Sequence, residues 1–412
     1  MPPTSRAATP PPEPLRRLKN ESPLRVLLVD HVSKVLGGAE VNVLELLAHS
    51  AVRSNWDVRV ACAPGSPLAE KVTALDWPLE PHSFGSALNE LRVVGRRFHP
   101  LAKWRGWQEL RRATQRLQAT VASVRPHVLL SCTNKDHFAA GTVARHAGIP
   151  SVWWINDILS ADFFGWPVRR IFVRQARRLA TRLTPVSEFG RAALIAEGVP
   201  ADRCTTIHNG IPLERYQRRP EPTLRAELGL RPGEPLFGLV GRITPWKGQD
   251  FYVQLAAEWV RRGQPGVFVI IGRAFNEDAA FEQSVRAEIQ SRGLGERVRF
   301  VAFQPDVAAA LSSLDVLLHT STKPEPFGRV LIEAMAVGTP VVAAHGGGTP
   351  EIVTDHVTGR LVPPRDLSGY VQALTEALGP AGPTWAAAAR GEVARRFSLD
   401  RVVSDFDRVL RR

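Results

Sequence analysis

Cysteine is scarce in this sequence: Cys62, Cys132 and Cys204 stand far apart, and none has a histidine or a second cysteine at metal-ligand spacing. That pattern excludes a disulfide scaffold and a zinc module, and predicts reduced, buried thiols in a cytosolic protein. No apolar run approaches the roughly 18 residues of a membrane span, so the chain is expected to be soluble or peripheral on the inner face of the plasma membrane. The proline-rich first 22 residues lack the apolar stretch of a signal peptide and are expected to form a disordered tail. The first strand is not followed by G-x-G-x-x-G with an acidic residue about 20 positions on, which argues against a nicotinamide-dependent oxidoreductase.

Acidic residues are missing where basic ones gather. The net charge is +13, and residues 1–20 hold four basic and one acidic residue, 91–117 eight and one, and 166–182 six and none. No helix-turn-helix, zinc or single-strand-binding motif accompanies them, so nucleic acid is not the expected partner despite a pI near 10.5. Residues 168–183 read as a helix with Arg170, Arg174, Arg177 and Arg178 on one face and Val168, Ile171, Phe172, Ala176 and Leu179 on the other. In 91–117, Arg96, Arg97, Lys103, Arg105, Arg111 and Arg112 interleave with Phe98, Trp104 and Trp107, a mixture of cations and aromatics suited to a membrane surface. Contact with anionic lipid through 91–117 and 168–182 is the functional reading; solvated faces are the plainer one.

What is present is an ordinary globular balance, 44% apolar and 23% charged over 412 residues, enough for two domains at roughly 150 residues each. Short β-branched runs alternate with helical patterns: Arg25–Asp30, Asp57–Cys62, His127–Ser131, Ser151–Ile155 and Leu183–Ser187 in the first half. After a Pro/Arg-rich stretch to about residue 235 the series restarts with Leu236–Gly241, Val267–Ile271, Val298–Val301, Val316–His319 and Pro340–Ala344. Repeated β-α units predict two doubly wound parallel sheets, an α/β fold. The last helix, about Leu399–Leu410, carries Val402, Val403, Phe406, Val409 and Leu410 on one stripe and must pack on something.

Ligands of open parallel sheets bind beyond the carboxyl ends of the strands. There, Gly37-Gly38-Ala39-Glu40 opens a helix whose N–H groups favour a phosphate or carboxylate, or forms a plain tight turn. Gly241-Arg-Ile-Thr-Pro-Trp-Lys-Gly248 sets Arg242 and Lys247 on one loop, where two cations suit a leaving diphosphate. Glu325-Pro-Phe-Gly-Arg-Val-Leu-Ile-Glu333 places one glutamate in a loop and another about two turns into an apolar helix, where a carboxylate needs a polar partner. Ligand hydroxyls could supply it, while the N–H groups of Phe327, Gly328 and Arg329 could hold phosphate oxygens. His345-Gly-Gly-Gly-Thr-Pro-Glu351 adds a donor-rich loop after another strand. Asp405-Phe-Asp407 spells a metal-binding Asp-x-Asp but falls in the final helix and is read as a solvated face.

The GGAE turn, the Gly241–Gly248 loop, the two glutamates eight positions apart, GGTPEIV at 347–353 and TGRLVPPRD at 358–366 together resemble the large retaining glycosyltransferase family of GT-B fold, group 1 or family 4. The resemblance covers nearly the whole chain after residue 23, with Thr184–Glu188 and His208–Ile211 matching in the first half. It implies two Rossmann-like domains facing a cleft: an acceptor domain, 23–210 plus about 396–412, and a nucleotide-sugar donor domain, 211–395. Arg242 and Lys247 would hold the pyrophosphate, Glu325 the sugar hydroxyls and Glu333 the ribose. Gly38 would face the donor phosphates, with Gly37, Glu40, Asp157, Ser187 and Asn209 on the acceptor or cleft side. Retention would follow from same-face attack without a protein base, with a nucleotide sugar as co-substrate and neither metal nor cofactor. Asn156 departs from the pattern, standing where many relatives place a histidine. It can hydrogen-bond but cannot carry charge near neutral pH. A non-catalytic nucleotide-sugar or glycan-binding protein of the same fold is the alternative.

Overall fold

The computed structural model describes residues 23–32, 36–85, 100–219 and 224–412, backbone only for 100–103. The expected tail, residues 91–99 and the Lys103 side chain lie outside the described residues. The chain divides into two compact units. The first comprises the described residues up to Thr184, Leu194–Thr205 and Val403–Arg412; the second comprises Pro185–Ala193 and Thr206–Val402.

The first unit is built on β1 (Leu24–Asp30), β2 (Trp56–Cys62), β3 (Leu79–Pro81), β4 (Val128–Ser131), β5 (Ser151–Ile155) and β6 (Arg182–Pro185), in the order β3-β2-β1-β4-β5-β6. The second repeats the plan with β7 (Leu236–Val240), β8 (Val267–Ile271), β9 (Val298–Val301), β10 (Val316–His319), β11 (Val341–Ala344) and β12 (Arg360–Val362), in the order β12-β11-β10-β7-β8-β9. Neighbouring strands run parallel, as in β1–β2, β1–β4, β7–β8 and β10–β11. Strands such as β4, β5 and β8 are continuous apolar runs because helices cover both faces.

In the first unit Leu27, Val29 and Leu129 pack on Ala113, Leu117 and Val121 of one helix and Ala139, Ala140 and Val143 of another. In the second, Phe237, Phe268, Val316 and Leu318 meet Tyr252, Leu255 and Trp259 of one helix and Tyr370 and Leu374 of another packed beside it.

The structure corrects several expectations. β3 and β12 are three-residue edge strands too short to leave a pattern, and β6 ends at Pro185 rather than Ser187. Helix Trp166–Leu179 buries Phe172, Val173, Ala176 and Leu179 but leaves Ile171 54% exposed, because the buried stripe runs one position off. Glu333 sits one turn, not two, into helix Arg329–Val337. In the last helix Phe406 meets Trp154 edge-on at 4.7 Å, as the apolar stripe requires. Asp407 is not a solvated face: it accepts from Trp56 Nε1 at 2.7 Å and pairs with Arg411, while Asp405 pairs with Arg408.

Candidate functional site

The order of the second sheet sets β11, β10, β7 and β8 side by side, so the loops leaving their carboxyl ends are neighbours. Gly248, at the end of the β7 loop, has φ 75°, and a Cβ there would lie 2.2 Å from the Thr320 carbonyl after β10. Only glycine permits that approach, which draws Lys247 toward the β10 loop. Lys247 Nζ then lies 2.9 and 2.8 Å from the two carboxylate oxygens of Glu325. Glu325 Oε2 is also 3.2 Å from His319 Nε2 and 3.0 Å from Ser321 Oγ, which donates to it. Tyr370 OH donates to the His319 carbonyl at 2.9 Å and fixes the strand end. Burial alone would raise the Glu325 carboxyl, but the Lys247 charge and the His319 and Lys247 hydrogen bonds hold it well below the usual carboxylate range.

The β11 loop closes over the same glutamate. Gly348 N donates to the Glu325 carbonyl at 2.8 Å. At Gly347, φ 65°, a Cβ would meet that carbonyl at 2.1 Å. Gly328, φ 106°, starts helix Arg329–Val337 without a side-chain cap, and Phe327 is buried against Phe397. One turn on, Glu333 Oε1 accepts from Arg329 Nε at 2.7 Å and Tyr216 OH at 3.0 Å. The polar partners that an apolar helix demands are thus supplied by the chain.

Arg242 is not gathered with Lys247 and Glu325. It pairs with Glu277 at 2.8 Å and Asp278 at 2.5 Å in the β8 loop, and stacks 4.1 Å over Phe275. Ser187 is buried and accepts from Gly190 N at 3.0 Å. Asn209 is buried, its Oδ1 lacking a hydrogen-bond partner among the described residues. Glu351 accepts from Glu188 N, Phe189 N and His208 Nε2, each at 2.8 Å. Its burial is outweighed by the His208 bond and the two backbone N–H groups, so its carboxyl lies below the usual range.

In the first unit Gly37 N donates to Glu40 Oε2 at 2.6 Å. Glu40 is buried in that bond and its carboxyl is raised, chiefly by burial. Asn156 Nδ2 lies 3.4 Å from the Trp154 carbonyl and 3.5 Å from that of Cys132. Asp157 accepts from Asn134 Nδ2 at 2.9 Å.

Sequence reasoning missed a network at the ends of β1, β3 and β4. Fully buried Asp136 accepts from His31 N at 2.9 Å and from Thr133 Oγ1 at 2.8 Å. It also lies 2.9 Å from both His31 Nδ1 and His82 Nε2. Burial would raise its carboxyl, yet the two imidazoles keep it well below the usual range. Asp30 beside it is raised well above that range by burial and by the Glu40 and Asp136 charges. His319, Ser321 and Tyr216 were missed as well; a polar residue ending an apolar strand, as His319 does, was the available signal.

Residues 220–380 match the family described as Glycosyl transferases group 1, and residues 36–215 match Glycosyltransferase Family 4. A D-inositol 3-phosphate glycosyltransferase of Nocardia farcinica is 36% identical over 197 residues, 47% of this chain and 44% of that protein. One from a Mycobacterium species is 32% identical over 236 residues, 56% of this chain and 52% of that protein. The matched region thus spans about half the length of these curated relatives. Among solved structures, Anabaena HepE in complex with UDP-glucose superposes with a TM-score of 0.81 at 24% identity, over 94% of this chain and 99% of that one. A glycosyltransferase from Rickettsia africae superposes with a TM-score of 0.77 at 15% identity, over 94% and 98%.

Proposed function

This chain belongs to the group 1, family 4 glycosyltransferases, and from that premise we propose that it moves a hexose-type sugar from a nucleotide diphosphate sugar to a hydroxyl acceptor with retention of anomeric configuration. Its two doubly wound sheets are the GT-B fold. The observation that carries the reading is Glu325: a buried, ionised carboxylate at a strand end, held by Lys247, His319 and Ser321 beside the start of helix Arg329–Val337. An ionised carboxylate can accept from sugar hydroxyls, and a lysine beside it can stabilise charge growing on a departing diphosphate.

In this reading the second unit binds the donor. Lys247 and Arg242 serve the diphosphate, the latter by exchanging Glu277 and Asp278 for phosphate oxygens. The first N–H groups of helix Arg329–Val337 take further phosphate oxygens, and Glu333, oriented by Arg329 and Tyr216, takes the ribose. Gly37, Gly38, Glu40, Asn156, Asp157, Ser187 and Asn209 serve the phosphate and acceptor side. Asn156 contributes hydrogen bonds where a histidine would contribute charge. The leaving phosphate accepts the acceptor's proton, so neither a protein base nor a metal is used. Three buried free thiols suit a reducing, cytoplasmic compartment.

The donor is proposed to be a uridine diphosphate sugar, since HepE is described in complex with UDP-glucose and with UDP. The acceptor is proposed to be a glycan, glycolipid or lipid-linked saccharide of polysaccharide biosynthesis. The relatives' name makes D-inositol 3-phosphate the first alternative to assay. The test is product NMR with UDP-sugars and each acceptor class. A product with the donor's anomeric configuration supports the proposal; an inverted product overturns retention, and no product with any acceptor class counts against transfer.

A further inference from the structure

Several helix arginines of the second unit carry acidic partners one helical turn away. Arg261 and Arg262 pair with Glu258, Arg286 with Glu282, Arg292 with Glu288, and Arg395 and Arg396 with Glu392. Helix Trp166–Leu179 of the first unit departs from that habit. Arg170, Arg174, Arg177 and Arg178 are exposed without an acidic partner among the described residues; on this helix it is Arg169 that pairs with an acid, Glu197. The exposed cations of the segment therefore form no ion pair among the described residues, although Glu197, held by Arg169, lies in the same groove.

Tryptophan usage points to the same edge. Trp56, Trp153, Trp154, Trp259 and Trp385 are buried, whereas Trp104, Trp107 and Trp166 are 57%, 54% and 61% exposed. All three exposed indoles lie in the opening turns of crossover helices, Pro100–Val124 between β3 and β4 and Trp166–Leu179 between β5 and β6. A helix that returns the chain to a parallel strand begins on the carboxyl side of the sheet. The 25-residue helix is roughly 37 Å long against roughly 13 Å for the four-residue strand it feeds, so its first turns project past the sheet edge. Helix Asn134–Ala147 packs against both, so the two helix starts that carry the three indoles share the carboxyl-side rim.

Arginine and indole are paired on that rim. Arg111 lies 4.7 Å over Trp107, and Arg170 lies 5.1 Å over Trp166. Arg170, Ile171, Val173, Arg174, Arg177 and Glu197 line a groove of about 580 Å³ on the same helix, where three cations and two apolar side chains share one surface with one acid. No helix among the described residues is long and apolar enough to cross a membrane. Indoles partition to the boundary between headgroups and acyl chains, and arginines meet the phosphates there.

We propose that the carboxyl-side rim of the first unit, centred on Trp166, Arg170, Ile171 and Arg174 and extended by Trp104 and Trp107, docks on an anionic lipid bilayer. The occupant is a bilayer rather than a nucleic acid because the exposed apolar groups, Ile171 among them, have no use against a phosphodiester backbone but insert at a lipid interface. The docking does not depend on the proposed transfer; its consequence, a membrane-proximal acceptor, does.

The full chain is floated with vesicles of phosphatidylcholine alone or with about one-third phosphatidylglycerol, at low and high salt. The account expects flotation with the anionic vesicles only, weakened by salt. Arg170→Glu with Arg174→Glu, and separately Trp166→Ala with Ile171→Ser, reduce partitioning about tenfold or more while the thermal midpoint and donor hydrolysis stay unchanged. Brominated acyl chains quench tryptophan emission in the wild type and less in Trp166→Ala. Equal flotation with neutral vesicles, no effect of either pair, or retention on duplex DNA that displaces the protein from vesicles overturns the proposal. Loss of donor hydrolysis with normal flotation would instead count against the transferase reading alone.

Discussion

Lys247 Nζ meets both carboxylate oxygens of Glu325, at 2.9 and 2.8 Å, although 78 residues separate them in sequence. The pair is mostly buried, with 16% and 10% of the side chains exposed. Removing one partner leaves the other charge uncompensated, so Glu325→Ala is expected to destabilise the protein by about 3–5 kcal/mol. The double variant with Lys247→Ala recovers part of that loss. Chemical denaturation of the two single variants and the double variant reads the coupling; additive losses would show that the pair does not interact.

Tyr216 sits in the Pro/Arg-rich stretch between the two series of strands, yet its hydroxyl donates to Glu333. Tyr216→Phe removes one hydrogen bond to a carboxylate that the ribose is proposed to use. Nucleotide affinity is expected to fall about three- to tenfold, the equivalent of about 1 kcal/mol. Calorimetric titration of UDP measures it, and an unchanged Kd would remove Glu333 from the nucleotide site.

His137 gives a pH signature. Its ring stacks 4.9 Å from Trp153, Ser131 Oγ lies 2.8 Å from its Nδ1, and burial pushes its pKa from 6.5 down to about 3. Between those values the unfolded chain binds a proton that the folded chain does not. This group's contribution to stability is therefore lost as pH falls from about 6.5 toward 3, by up to about 1.4 kcal/mol per pH unit. His137→Gln is expected to flatten that limb relative to wild type in denaturation at pH 7, 6 and 5. An identical slope in both proteins would contradict the assignment.

Gly248 and Gly229 both have positive φ, 75° and 62°, but only the first has a neighbour, the Thr320 carbonyl, where a Cβ would go. Gly229→Ala is expected to cost about 1 kcal/mol, the penalty of the left-handed backbone alone. Gly248→Ala is expected to cost well over about 2 kcal/mol and to displace Lys247. Equal shifts in the denaturation midpoint would contradict the close approach.

Much of this was legible in the sequence because parallel strands are short continuous apolar runs. The runs at Ser151–Ile155, Val267–Ile271, Val298–Val301 and Val316–His319 are strands over those same residues. Leu79–Pro81 and Arg360–Val362 were not, since an edge strand of three residues needs only a few ladder bonds and leaves no period. The two glutamates stood out because a carboxylate amid apolar residues must be explained. Lys247 stood out as a cation for the diphosphate, but its pairing with Glu325, and that of Tyr216 with Glu333, did not, because 78 and 117 residues separate the partners. The Asp136 network was hidden for the same reason: His31 and His82 are 105 and 54 residues away. Ile171 shows the reverse limit, where helical periodicity marked a face but not its last few tens of degrees.

In the proposed function, charge neutralisation of the diphosphate falls to Lys247, Arg242 and a helix start. Donor turnover is therefore expected to be unchanged within about twofold by a chelator and by added Mg²⁺ or Mn²⁺. Loss of turnover on chelation, restored by one metal, would overturn the metal-independent reading.

The central claim, that Glu325 and Lys247 form a nucleotide-sugar site, is tested most directly by donor hydrolysis. Purified wild type, Glu325→Gln and Lys247→Ala, each verified as folded by circular dichroism, are incubated with UDP-, GDP-, ADP- and TDP-sugars, and free nucleotide diphosphate is measured. The account predicts that one donor is hydrolysed by the wild type and that each substitution lowers the rate by about 10²–10³-fold. Hydrolysis that survives both substitutions, or no donor hydrolysed or bound at millimolar concentration, would contradict it.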